Sequence, residues 1–186
     1  MPKSILIGIT GGIAAYKIAD LTSALVKKHY DVRVIMTENA KKFITPLTMA
    51  TLSKHEVYDD ASEWVPDGLI KHIELGKWSS LLVIAPATAS TIAKMAQGIA
   101  DNLLTSTYLA LRVNHPVLVF PAMNYRMYED ERTQINLETL RKTSYVTVIE
   151  PDEGVLACGD IGKGKLVPVE MMLETIEKRM KSATRR

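Results

Sequence analysis

The sequence predicts an α/β protein with three layers, α/β/α, in which a parallel sheet is covered by helices on both faces. Two observations predict this. Short runs of consecutive apolar residues alternate from one end of the chain to the other with segments whose apolar residues recur at helical spacing. The runs are apolar throughout rather than at every second position, which is the mark of strands buried on both faces. With 186 residues, 47% of them hydrophobic and 24% charged, the chain reads as one globular domain over residues 1–186. A chain of this length buries about 70% of the surface its unfolded form exposes and needs no disulfide or metal staple.

The elements follow in order. Ile5-Leu6-Ile7-Gly8-Ile9 is a strand that stops at Thr10-Gly11-Gly12, and Ala14, Ile18, Leu21 and Leu25 then recur at helical spacing. Val32-Arg33-Val34-Ile35-Met36 is a second strand, followed by a helical pattern with Phe43 and Leu47. His72-Ile73-Glu74-Leu75 alternates like a short strand. Leu81 to Ala85 is a buried strand ending at Pro86, and helix runs from about Ser90 to Arg112, interrupted at Asp101-Asn102 by a second cap. Val117 to Phe120 is a strand ending at Pro121; a helix over 128–143, a strand over Val146–Ile149 and a final helix carrying Val169, Met172, Leu173, Ile176 and Met180 complete the pattern. Pro151 to Pro168 holds four glycines and little periodicity. Loops longer than about 12–15 residues are uncommon in compact domains unless functional or disordered, so this segment reads as a functional loop.

Several function classes are excluded or disfavoured. One cysteine, Cys158, excludes an internal disulfide and a cysteine-rich metal site, and no metal site is expected. The same lone cysteine, with no signal segment at the N-terminus, suggests a reducing cytoplasm. No stretch approaches the roughly 20 apolar residues of a membrane span. A net charge of +2 gives no reason to expect nucleic acid, and the basic end from Lys178 to Arg186 reads as a solvated helix terminus.

Ligands of open α/β sheets bind beyond the carboxyl ends of the strands, so the candidate residues are those that follow each strand. After the first come Gly11-Gly12-Ile13-Ala14, a glycine-rich turn opening a helix, with backbone N–H groups suited to a phosphate or equally to close helix–sheet packing. It is neither a dinucleotide fingerprint nor a P-loop. Thr37 closes the second strand, as a ligand hydroxyl or a helix cap. Pro86-Ala87-Thr88-Ala89-Ser90-Thr91 offers small and hydroxylated residues at a strand-to-helix junction, which suit a planar ligand and suit a cap as well. Thr105 follows the second cap, and Pro121-Ala122-Met123-Asn124 places an amide at a strand terminus. His72 and Cys158 are the isolated reactive types; alone, each is more often structural.

Taken together, four features resemble the homo-oligomeric flavin-containing cysteine decarboxylases, and within them the phosphopantothenoylcysteine decarboxylases. They are Gly11-Gly12-Ile13-Ala14, His72-Ile73-x-Leu75, Pro121-Ala122-Met123-Asn124, and Ala157-Cys158-Gly159-Asp160 followed by Gly162-x-Gly164. The similarity runs from Gly8 to about Leu166, and the last two motifs are specific in combination. Where the family's flavin motif has serine and asparagine, this chain has Thr88 and Ser90.

The resemblance implies a Rossmann-like (flavodoxin-like) fold and FMN as cofactor, held by Gly11, Gly12, Ile13, Ala14, Thr37, Pro86, Ala87, Thr88, Ser90 and Thr105. It implies decarboxylation of 4′-phospho-N-pantothenoylcysteine to 4′-phosphopantetheine and carbon dioxide in coenzyme A biosynthesis. The substrate's CH2–SH is oxidised to a thioaldehyde, carbon dioxide leaves to give an enethiolate, and hydride and proton are returned, with no net oxidation. Catalysis is assigned by resemblance to His72, Asn124 and Cys158, with Ala122, Met123, Asn124, Ala157, Gly159 and Asp160 around the substrate. Residues 151–166 would form a substrate clamp carrying Cys158 as proton donor. The family further implies self-association as a trimer, or four trimers in a dodecamer, with His72 and Asn124 supplied by neighbouring subunits, and a stand-alone decarboxylase without a fused ligase. Two alternatives share the fold: a flavin prenyltransferase, similar at Ala100-Asp101-Asn102-Leu103-Leu104-Thr105 but without the cysteine clamp, and a flavin-binding regulatory subunit. A peptidyl-cysteine decarboxylase, which stops at the enethiol, is a third relative.

Overall fold

The computed structural model describes residues 3–65, 68–155 and 159–183. Six strands form one parallel sheet: β1 (Ser4–Ile9), β2 (Asp31–Met36), β3 (Val57–Tyr58), β4 (Leu81–Ala87), β5 (Val117–Pro121) and β6 (Val146–Val148). Their order is β3-β2-β1-β4-β5-β6, the Rossmann order; the flavodoxin order would run 2-1-3-4-5. The central strands β1 and β4 are buried along their whole lengths. Alternate side chains divide between two cores. Ile5, Ile7 and Ile9 face α1 (Lys17–Lys27), α2 (Pro46–Ser53) and α8 (Val169–Ala183) on one side. Leu6, Leu82 and Ile84 face α3 (Lys71–Trp78), α4 (Ala89–Gln97), α5 (Leu103–Leu109), α6 (Tyr125–Glu129) and α7 (Glu131–Arg141) on the other. The three-layer expectation holds.

Local signals explain most boundaries. α1 buries Ile18, Leu21 and Leu25 on one stripe. α4 is capped by Thr88, whose Oγ1 accepts the Thr91 N–H at 3.4 Å, and ends at Gly98 in the left-handed region with φ +70°. The interruption expected at Asp101-Asn102 is real: Asn102 Oδ1 accepts the Thr105 N–H at 3.0 Å and starts α5.

Four expectations are corrected. His72-Ile73-Glu74-Leu75 lies in helix α3 and not in a strand. A four-residue window cannot separate a period of 2 from one of 3.6, and the crossover between parallel strands β3 and β4 takes a helix. The helix expected over 128–143 starts at Tyr125 and breaks at Asp130, which ends α6 and caps α7 through an Arg132 N–H bond of 3.0 Å. The pattern around Phe43 and Leu47 is a 3-10 turn, Ala40–Lys42, followed by α2, with Leu47 exposed, and the two-residue edge strand β3 was not anticipated. Finally, the glycine-rich segment contains an antiparallel hairpin, β7 (Asp152–Val155) and β8 (Ile161–Lys165). At the chain's basic end, α8 runs to Ala183, while Arg185 and Arg186 lie outside the described residues. No helix among the described residues is long and apolar enough to cross a membrane.

Two buried polar groups make the fold testable. Thr10 is 1% exposed; its Oγ1 donates to the Pro86 carbonyl at 2.6 Å and accepts the Thr88 N–H at 3.0 Å, joining the ends of β1 and β4. Thr10→Val removes both bonds and is expected to cost about 2–3 kcal/mol, read as a lower urea midpoint with an unchanged slope. His115 is fully buried beside Ser79, with Nε2 3.2 Å from Oγ, and burial, with a smaller effect from Arg112, pushes its pKa from 6.5 down to about 4. Between those values the unfolded chain binds a proton that the folded chain does not, so stability is complete above about pH 6.5 and falls as the pH drops towards 4. His115→Gln is expected to flatten that part of a stability–pH profile.

Candidate active site

β1 lies at the reversal of strand order: the chain builds outward through β2 and β3 on one side and through β4, β5 and β6 on the other. Connections leaving β1 and β4 therefore depart to opposite faces and leave a crevice at their carboxyl ends. A cavity of about 450 Å³ occupies it, inside the roughly 300–1,000 Å³ range of small-molecule sites. Its walls are Gly11–Ala14 after β1, Thr88 and Ala89 after β4, Ala122–Asn124 after β5, Gly164 and Lys165 of the hairpin, and Leu166 just after it. Among the described residues, the charged ones lining it, Lys17 and Lys165, are both cations.

Close backbone approach shapes this cavity. A Cβ at Gly11 would collide with Asn39, whereas a Cβ at Gly12 would meet nothing within 4 Å. Gly12 thus keeps the turn thin on its open side. Across the crevice the Ala122 N–H donates to the Ala87 carbonyl at 3.0 Å, and Asn124 caps α6, its Oδ1 accepting the Arg126 N–H at 2.9 Å. That bond fixes the amide at the cavity wall.

The hairpin is pinned over the β5 end at three points. The Met123 N–H donates to the Gly164 carbonyl at 3.0 Å. Gly164 has φ +151°, and a Cβ there would fall inside the contact distance of the Met123 carbonyl oxygen, so only glycine lets the two backbones meet. A Cβ at Gly162 would lie 2.6 Å from that of Tyr125. The third point is ionic: Glu150 accepts from Tyr128 Oη and Lys163 Nζ, each at 2.7 Å, and pairs with Arg141. Burial pushes the Glu150 carboxyl up, but hydrogen bonds from Lys163 and Tyr128 and the Arg141 charge outweigh it and hold it below the ordinary carboxylate range.

The cavity brings together Gly11, Gly12, Ile13, Ala14, Thr88, Ala122, Met123 and Asn124 of the expected residues. Pro86 and Ala87 are buried within β4 just behind its wall. Thr37 stands at the carboxyl end of β2 with its N–H on the Ile9 carbonyl, Ser90 is exposed in the first turn of α4, and Thr105 is buried with its Oγ1 on the Asn102 carbonyl. None of these five lines the cavity. Gly159 and Asp160 are exposed beyond the hairpin strands, and Ala157 and Cys158 lie outside the described residues. His72 also stands away from the cavity, in the first turn of α3, where its Nδ1 lies 2.6 Å from Glu63 Oε1. Sequence reasoning missed Thr10, Lys17, Met127 and Lys165. Lys17 was visible four residues after Ile13 on the same helical turn, and Lys165 directly after Gly164; the others carried no signal.

Comparison with known proteins decides the family. The Flavoprotein family model matches residues 1–181. The chain belongs to the Flavoprotein family. Among curated relatives, it is 45% identical over 180 residues to the probable phosphopantothenoylcysteine decarboxylase of Streptococcus mutans, covering 97% of this chain and all of that protein. It is 44% identical over 182 residues to the coenzyme A biosynthesis bifunctional protein CoaBC of Bacillus subtilis, covering 98% of this chain but 44% of that longer protein. Among solved structures, a PPC decarboxylase mutant complexed with pantothenoylaminoethenethiol superposes with a TM-score of 0.89 at 31% identity, covering 97% of this chain and all of that one. The FMN binding protein AtHal3 superposes at 0.85 with 32% identity over 96% and 97% of the two chains.

The cavity suits a flavin. A planar ring system needs walls without bulk, and Gly12, Ala14, Ala89 and Ala122 supply them; the exposed backbone turn at Gly11–Gly12 and the cations Lys17 and Lys165 suit an anionic tail. Gly164→Ala is expected to lift the hairpin from β5, so that the Met123 amide exchanges with solvent roughly tenfold faster or more, measured by hydrogen exchange.

Proposed function

We propose that this protein decarboxylates 4′-phospho-N-pantothenoylcysteine to 4′-phosphopantetheine with FMN as cofactor, a step of coenzyme A biosynthesis. The observation that carries the reading is full-length similarity to the Streptococcus mutans decarboxylase, joined to a small-walled cavity at the β1–β4 reversal with Asn124 in its wall. FMN, when bound, supplies the two-electron acceptor and donor that the protein's own side chains lack.

The chain's residues bind, orient and move protons. Gly11, Gly12, Ile13, Ala14 and Thr88 hold the cofactor by backbone and small side chains, with Thr37, Pro86 and Ala87 at the strand ends and Ser90 and Thr105 in the helices α4 and α5 shaping its surroundings. Ala122 and Met123 flank the substrate. Asn124, its amide fixed by Arg126, orients the substrate carboxylate, and His72 moves a proton at Nε2, the ring nitrogen turned away from Glu63. Cys158 returns a proton to the enethiolate from a clamp over residues 151–166 that also carries Ala157, Gly159 and Asp160. Because His72 does not line the cavity of its own chain, we assign His72 and Asn124 of one active site to neighbouring copies in a trimer, which assembles as such or as a dodecamer in the cytoplasm.

Mass spectrometry of the FMN-loaded protein with 4′-phospho-N-pantothenoylcysteine tests this. Loss of carbon dioxide with no other mass change is expected. No turnover from a protein that holds FMN would favour prenyl transfer or a regulatory role. Cys158→Ser is expected to release carbon dioxide but accumulate a product two hydrogens lighter, whereas His72→Asn blocks earlier. Fully reduced product at the normal rate from Cys158→Ser would refute the proton-donor role, and a monomer by sedimentation would refute the shared site.

A further inference from the structure

We propose that Glu63 is the positioning residue of His72: its carboxylate holds the imidazole in the Nδ1–H tautomer and leaves Nε2, the ring nitrogen it does not touch, as the one presented to substrate. The inference rests on the reading in which His72 handles a proton in the decarboxylation. Both oxygens of Glu63 are spent on this one residue. Oε1 lies 2.6 Å from His72 Nδ1, and Oε2 accepts the His72 backbone N–H at 3.1 Å. An ionised carboxylate only accepts, so the neutral ring must carry its proton on Nδ1 and present Nε2 as the acceptor. Gripping backbone and ring together fixes the side chain's torsions as well as its tautomer.

The carboxylate is itself delivered by a braced turn. Glu63 sits in a 3-10 turn, Asp60–Trp64, opened by a capping box: Asp59 Oδ1 accepts the Ser62 N–H at 3.1 Å and Ser62 Oγ accepts the Asp59 N–H at 3.0 Å. Lys41 Nζ lies 2.5 Å from the other Asp59 oxygen. Asp60 Oδ1 accepts the Leu103 N–H at 2.8 Å, fastening the turn to the start of α5, the helix that packs on α3. The turn is therefore tied both to α3, which carries His72, and to α5, which packs on α3. The competing role is a remote cap for α3, whose N-cap residue Ile70 offers no side-chain bond. A cap would need only the backbone contact; the 2.6 Å approach to Nδ1 is the additional feature.

Glu63→Gln separates the two roles. Its amide oxygen can still cap the His72 N–H, but it cannot also accept from Nδ1, and the amide N–H2 favours an unprotonated Nδ1. The test uses FMN-loaded protein labelled with 15N-histidine in mildly alkaline buffer, the His72 signals being assigned by their loss in His72→Asn. The expected result is a protonated Nδ1 and unprotonated Nε2 in the wild type, a mixed or reversed tautomer in Glu63→Gln, and a kcat for 4′-phospho-N-pantothenoylcysteine lowered about a hundredfold with KM within about threefold. Glu63→Asp, which keeps the anion one methylene shorter, should keep the tautomer and recover part of kcat, and it serves as the second variant if Glu63→Gln does not fold. An unchanged tautomer in Glu63→Gln, an unchanged kcat, or a kcat loss that Glu63→Asp shares in full would overturn the assignment while the decarboxylase reading stands. A wild-type protein that releases no carbon dioxide from this substrate would overturn the reading and the inference with it.

Discussion

The cavity and the candidate residues that line it depend on the reversal of strand order between β1 and β4. Both strands are fully buried, so neither can carry a polar working group along its length, and chemistry is displaced to their carboxyl ends. There the outgoing segments diverge and would leave unpaired backbone in a cleft. Thr10 resolves this with a single hydroxyl that donates to Pro86 and accepts from Thr88, so the two sides of the crevice share one buried hydrogen-bonded atom. The cavity wall is rigid because the polar groups behind it are satisfied, and it is thin because the residues in front of it are glycine and alanine.

The hairpin closes the cavity by a different kind of contact. It belongs to neither core; backbone fit at Gly162 and Gly164 and the Glu150 cluster tie it to the β5–α6 corner. Such contacts bury little apolar surface. They fix where the hairpin sits without welding it into the sheet, and its strands flank the residues that carry Cys158. An element held by steric fit and a surface charge cluster is drawn from the less stable part of a fold.

How much of this could be read from the sequence follows from how locally each feature is encoded. Ile5–Ile9 and Leu81–Ala85 declared themselves because a strand buried on both faces needs consecutive apolar residues, and Asn102 declared itself because a cap acts three residues away. His72–Leu75 resembles a strand because four residues hold barely one helical turn, and the helix there is demanded by the crossover from β3 to β4, which run parallel at different places in the sheet. The hairpin was hidden because its glycines serve contacts with Met123 and Tyr125, far earlier in the chain, and not a repeating pattern of their own. Of the site, the glycine-rich turn and Asn124 were legible as residues at strand ends. The Glu63–His72 contact was not, since it joins two elements across nine positions with no periodicity between them.

The two sides of the candidate chemistry are held by opposite strategies, and the difference fits their tasks. Asn124 is fixed by its own helix, through the N–H two residues on, so its placement is as rigid as the β5 terminus that carries it. His72 is fixed from outside, by a carboxylate on a turn that is braced to α5 and to Lys41. An amide that only orients a carboxylate needs position alone, and a local cap supplies it. A histidine that moves a proton needs position and a defined proton inventory, which no contact with its own backbone can set. A second ionisable group is required, and the fold spends a capped, ion-paired turn on presenting one.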